Sequence, residues 1–288
     1  MYSPFVYYCA DDFGMTPATC ARIADCSKNG CLGKISILPN TTVENLSQYL
    51  TGTAIIAVHL NFVEGRCISD PKDVPLLVDA EGSFCHSFFE LLTLSLSGKR
   101  KAFFGQVQKE IRAQLAAARA FLPKGAPLYL DSHQHTHMIP LIFRALAAVI
   151  EEDALAVAFL RIPAEPILPF LLTPSLYPCY FSVNLIKQWV LKFCNLCNRT
   201  VFRRLNIPTA DFCGILFSGH MTKARVEKLL PHYYRRAMRR HRNIEVLFHP
   251  GYTEAGEALF DEKKTSFHPF YFSSGRKEEF DALHELKN

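Results

Sequence analysis

The 288-residue chain has no glycine-rich phosphate-binding loop and no aromatic-rich signature of RNA recognition. It has little net charge: 32 basic and 27 acidic residues leave a formal +5. An excess that small attracts anions weakly and does not indicate a nucleic-acid partner. Its ten cysteines form no framework, and Cys194-Asn195-Leu196-Cys197 is a CxxC without a second pair. Free thiols in a reducing, cytoplasmic compartment fit that pattern better than a disulfide-stapled secreted chain. The first residues lack a basic stretch followed by a long apolar run, so no secretory leader is expected. Residues 167–186 are uncharged and about long enough to span a bilayer, but Pro169, Pro174 and Pro178 interrupt them. That stretch reads as a buried or partly exposed insertion, with contact to a membrane surface or a greasy ligand left open. With no internal repeat and no linker composition, one domain over residues 1–288 is expected.

What remains is ordinary globular composition, 49% apolar and 20% charged. Strand-like runs are expected at 5–8, 34–38, 54–58, 128–130, 157–160, 213–217 and 245–248. Helices are expected at 16–29, 43–50, 101–122, 140–152 and 223–241. Residues 61–98 and 164–206 read as long insertions. Alternating strand and helix predicts an α/β fold with a parallel sheet. Asp11-Asp12, His59, Asp131/His133, Arg161 and His249 all fall just past predicted strand ends. In parallel α/β proteins that edge is where active sites are built.

Asp11 and Asp12 follow an apolar strand, where two carboxylates are costly unless something uses them. Adjacent strand residues face opposite ways, so the strand must break if both serve one site, and Gly14 suits a break. A surface turn with an Asp cap is the bland alternative. Residues 131–137 read Asp-Ser-His-Gln-His-Thr-His, and on an extended segment the three imidazoles would share one side. That arrangement could present metal ligands; a His-rich surface loop is the alternative. Asp12, His59 and one of these histidines would give a two-His, one-carboxylate site with positions open for water and substrate. Asp11 is then placed to take a proton from an activated water, and His249 to give one to a leaving group.

Taken together, Cys9-Ala10-Asp11-Asp12-Phe13-Gly14, Val58-His59-Leu60, Asp131 to Pro140 and His249-Pro250-Gly251 resemble, in order and spacing, the motifs of the YdjC-like carbohydrate deacetylases. That family includes chitooligosaccharide and hopanoid-biosynthesis deacetylases. The resemblance implies a deformed (β/α) barrel of about seven parallel strands, with insertions at the C-terminal strand edge. It implies removal of acetyl groups from N-acetylated sugars with one divalent ion, magnesium or zinc. Position by position, Asp12, His59 and His133 are similar to metal ligands, Asp11 to a general base and His249 to a general acid. Arg161 is similar to an arginine that orients the base or the substrate. His135 and His137 would stand behind the ligands or in packing. Cys9 departs from the usual family Asn, which could loosen the acidic pair, since a thiol is a much weaker hydrogen-bonding group.

Expected partners are an N-acetylated sugar, free or lipid-linked, and a second copy of the chain in a homodimer. Ser218-Gly219-His220 could line a pocket or form a plain loop. The aromatic run at 267–272 could stack on sugar but suits packing better, and the basic segment at 235–241 suits a solvated helix face. Two other readings stand beside deacetylation: another metal-dependent hydrolase, of phosphoesters or amides, and a non-catalytic metal- or sugar-binding regulator.

Overall fold

A computed structural model describes residues 2–50, 52, 54–180 and 182–286. Seven strands run in parallel: β1 Val6–Phe13, β2 Lys34–Ile37, β3 Ile55–Leu60, β4 Leu128–Ser132, β5 Val157–Leu160, β6 Asp211–Cys213 and β7 Ile244–Phe248. Their spatial order is β5-β4-β3-β2-β1-β7-β6. The helices are α1 Pro17–Asn29, α2 Phe88–Leu96, α3 Arg100–Ala118, α4 Pro140–Glu152, α5 Leu168–Leu171, α6 Ser182–Leu205, α7 Lys223–Arg240, α8 His268–Tyr271 and α9 Ser274–Glu285.

The sheet curls strongly. A flat sheet would separate β5 from β7 by five strand spacings, about 24 Å. Yet Arg161, the first residue after β5, places its Nε 2.9 Å from Glu245 of β7. At the remaining seam the Leu160 amide donates to the Pro208 carbonyl, 3.0 Å, just ahead of β6. The result is the deformed parallel barrel the motifs imply.

Two apolar clusters hold it together. One joins β3 and β4 to α2, α3 and α4, and the other joins β1, β2 and β7 to α1, α7 and α9. In α4 the sequence repeats apolar residues at helical spacing, so Ile142, Leu146 and Val149 bury together. Each such side chain contributes about 1.5–3 kcal/mol by leaving water.

Helices α1 and α4 and strand β5 form where the sequence places them. Elsewhere the bounds shift. Strand β1, expected at 5–8, runs on to Phe13, so Asp11 and Asp12 lie within it. The helix expected at 43–50 shrinks to a 3-10 turn, Leu46–Tyr49. The excursion at 61–98 contains α2, which Ser87 and Glu90 cap reciprocally. The insertion at 164–206 contains the 24-residue helix α6. The sixth strand ends at Cys213, not Phe217, because the Glu165 carboxylate accepts the amides of Gly214, Ile215 and Leu216 at 2.5, 3.2 and 3.0 Å. All ten cysteines are free.

Candidate active site

The acidic pair meets at a backbone irregularity. The β1–β2 register slips between Ala10 and Phe13, and Asp12 itself has φ 71°. The left-handed conformation, tolerated by Asp better than by most residues, turns Asp12 to the same side as Asp11. The break therefore falls two residues before Gly14, whose own φ is 100°. Thr16, not an aspartate, caps α1 through its side chain. Both carboxylates are 2% exposed, so neither belongs to a surface turn.

His59 lies in β3 and His133 just after β4, and one donor atom each from Asp12, His59 and His133 lie within 4.8 Å of one another. The far nitrogen of each ring meets a carboxylate. His59 donates from Nδ1 to Asp131 at 2.7 Å, which turns its Nε2 toward the aspartates at 3.8 Å. His133 donates from Nε2 to Glu64 at 2.5 Å, which turns Nδ1 toward Asp12 at 2.9 Å. Tyr271 donates its hydroxyl to the same Glu64 oxygen, 2.5 Å. Carboxylates behind imidazoles in this way fix tautomer and aim and strengthen a metal ligand. A second grouping, Asp11, His59 and Asp131, also lies within 4.8 Å. Its two carboxylates are already engaged by Arg161, at 2.7 and 3.1 Å, so the first set fits a divalent ion better.

Burial opposes charge on His133, yet Asp12 and Glu64 outweigh it and bring its pKa up to about 10. Burial likewise works against the Asp12 carboxylate, but His133 and Arg276 hold it well below the usual range. Burial pushes the Tyr271 phenol well up, with Glu64 adding to it, so the hydroxyl stays a donor.

The histidine run does not lie extended. It forms 3-10 turns over His133–Met138, with Gln134 and His135 at φ 50° and 57°. The three rings therefore diverge. His137 accepts from the Ser132 hydroxyl at Nδ1, 2.6 Å, and donates from Nε2 to the Arg161 carbonyl, 2.9 Å. His135 lines the cavity and meets the Phe212 ring edge-on at 5.8 Å. Burial lowers the pKa of both, His137 to about 4.

Under the site the barrel interior holds an ionic network. Arg161 grips both oxygens of Asp11 at 2.9 and 2.7 Å and pairs with Asp131 and Glu245. Lys34 joins Glu245 at 2.8 Å, and Ser36 donates to Asp131 at 2.7 Å. Cys9 is fully buried beside it, and burial pushes its thiol well up. That thiol bonds the Tyr7 carbonyl at 3.6 Å. Asp11 is instead held by Arg161, and Asp12 by His133 and Arg276.

His249 follows β7 and lines the cavity. Glu279 of α9 accepts its backbone amide and lies 3.5 Å from its Nδ1. Arg276, one turn earlier, donates to Asp12 at 2.5 Å and to the His249 carbonyl at 3.1 Å. Glu64, Arg276 and Glu279 escaped the sequence reading, and Tyr271 entered it only as part of the aromatic run, not as a partner of Glu64. Glu64 was the most legible, five residues past His59 at the same strand edge.

The cavity above these groups measures about 410 Å³. Phe88 and Phe89 of α2, Val190 and Leu191 of α6, and Phe267 and Phe270 wall it, so both insertions and the aromatic run shape the pocket. Ser218 also lines it. The basic face of α7 stays at the surface, Arg236 pairing with Asp211 at 2.9 Å.

The chain is thus a half-closed parallel barrel with carboxylates and imidazoles gathered at the C-terminal edge of its strands. Residues 6–287 match the YdjC-like protein family, and the chain belongs to it. It is 30% identical over 165 residues to a carbohydrate deacetylase of Mus musculus, covering 54% of this chain and 49% of that one. To a carbohydrate deacetylase of Homo sapiens it is 30% identical over 165 residues, 54% and 47% of the two chains. A chitooligosaccharide deacetylase of Yersinia pestis (strain Pestoides F) is 25% identical over 149 residues, 51% and 55%. The chain spans about half the length of the curated relatives it matches. A solved structure from Enterococcus faecalis V583, named for cellobiose-phosphate cleavage, shares the fold: TM-score 0.60, 18% identity, 98% of this chain and 95% of that one.

Proposed function

We propose that this chain is a metal-dependent carbohydrate deacetylase that hydrolyses an N-acetyl group on a sugar. The observation that carries the reading is the donor set of Asp12, His59 and His133, with Asp11 beside it and outside it. A divalent ion held by those three, magnesium or zinc, would polarise a carbonyl oxygen and acidify a water. Asp11, locked by Arg161, faces the same space and takes the proton of the attacking water. His249, aimed by Glu279, gives a proton to the departing amine. Acetate and a free amino sugar leave. The apolar and aromatic walls above suit the faces of a sugar ring.

The test is acetate release from N-acetylated chitooligosaccharides with magnesium or zinc. Asp12→Ala should lose both metal and activity. Asp11→Asn should keep the metal and lose about 10²–10⁴-fold in rate. Full activity in Asp11→Asn overturns the base assignment. Phosphate release from a sugar phosphate without acetate release points to a phosphoester hydrolase, and sugar binding without turnover to a regulator.

A further inference from the structure

Helix α6 carries large apolar side chains on its outer face as well as its inner one. Three of its amides face the protein: Gln188 donates to the Glu165 carbonyl at 2.7 Å, Asn198 to the Met138 carbonyl at 2.8 Å, and Asn184 to the Leu216 carbonyl at 3.3 Å. All three are 7% exposed or less. Leu191 and Cys194 bury on that same side, but four large apolar residues face solvent: Ile186, Trp189, Phe193 and Leu196 are 59, 62, 64 and 65% exposed. Their spacing of three and four residues puts them on one stripe, opposite the buried one. In the preceding segment Leu168, Leu171 and Leu172 are also more than half exposed. Exposed apolar surface of this extent marks a contact to be made.

The charge of the segment selects the contact. Residues 166–210 contain Lys187, Lys192, Arg199, Arg203 and Arg204, and no acidic residue. By helical phase Lys192, Arg199 and Arg203 run along one edge of the apolar stripe. Apolar side chains edged by cations are the pattern of a helix that lies in the interface of an anionic membrane. A two-fold copy of the chain would set the same cations against each other. Among the described residues no helix is long and apolar enough to cross a membrane, so contact would be from one side. The same helix walls the cavity through Lys187, Val190 and Leu191, so the surface and the pocket are continuous.

We propose that α6 docks the protein on an anionic lipid surface, and that the sugar it deacetylates is carried on a membrane lipid. The substrate clause rests on the deacetylase reading; the docking clause does not. The chain has a single tryptophan, Trp189, at the centre of the stripe, so its emission reports the contact directly. With phosphatidylglycerol/phosphatidylcholine vesicles the emission should shift to the blue, and with pure phosphatidylcholine it should shift little. Ile186→Ser/Phe193→Ser and Lys192→Gln/Arg199→Gln/Arg203→Gln should each weaken vesicle binding at least tenfold. Neither set touches the site, so acetate release from soluble chitooligosaccharides should be unchanged.

Wild type should release acetate from an N-acetylglucosaminyl lipid in anionic vesicles at least tenfold faster than either variant. No blue shift, an equal shift with neutral vesicles, or a shift that follows protein concentration without lipid overturns the docking. Turnover of soluble glycans without vesicle binding refutes docking alone. Vesicle binding with no acetate from any substrate refutes the deacetylase reading and the lipid-linked substrate together.

Discussion

Glu64 offers the sharpest test of the site, because it touches the proposed ion only through His133. Its Oε2 takes the His133 Nε2–H and the Tyr271 hydroxyl, both at 2.5 Å, while Oε1 has no hydrogen-bond partner among the described residues. In Glu64→Gln the amide oxygen can take over both bonds at the same volume. The charge is lost, and the new NH₂ takes the place of Oε1. The weaker partner leaves the imidazole a poorer ligand, which typically costs about 10–100-fold in metal affinity, or about 1.4–2.7 kcal/mol. Titration calorimetry on the metal-free protein measures the affinity. Acetate release against metal concentration should show the same rightward shift, with most of kcat recovered at saturating metal. Tyr271→Phe should move the affinity in the same direction by less. A Glu64→Gln protein that binds metal within twofold of wild type, or that loses kcat at saturating metal, refutes the idea that Glu64 works by holding His133.

Arg276→Met should cost about 3–5 kcal/mol in urea denaturation of the metal-free protein, because it leaves Asp12 buried without its guanidinium. Bound metal compensates that carboxylate, so the stability gap between metal-free and metal-loaded protein should widen; an unchanged gap refutes the pairing. His137 is buried neutral, its pKa lowered to about 4, so the folded state binds its proton later than the unfolded state. Its share of stability is complete above about 6.5 and is lost as pH falls toward 4, about 2 kcal/mol by pH 5. Denaturation of wild type and His137→Gln at pH 7 and pH 5 should show the smaller pH loss in the variant. Cys9→Ala should leave kcat within about threefold, since Asp11 and Asp12 are held by other groups; a loss above tenfold would show that the thiol positions the pair.

The sequence carried the parts of the site that lie at strand ends. Asp11, Asp12, His59 and His249 sit beside apolar runs whose length announces strands, and parallel topology then brings those ends together. Their supporting residues were hidden for a physical reason. Arg276 acts on Asp12 across 264 residues, and Glu279 on His249 across 30, with no local spacing to betray either. The alternation of the histidine run suggests extended chain, whereas residues 134 and 135 adopt left-handed angles and Thr136 and His137 bury. Helix α2 could have been found, since Ser87 and Glu90 spell a capping box ahead of an apolar run.

The grip of α9 on β1 has a consequence for how the protein matures. During synthesis the first strand leaves the ribosome long before Arg276 exists to meet Asp12. Until α9 arrives, the nascent barrel holds Asp12 without the guanidinium that pairs with it. A proteolytic nick that frees α9 would return a finished molecule to that condition.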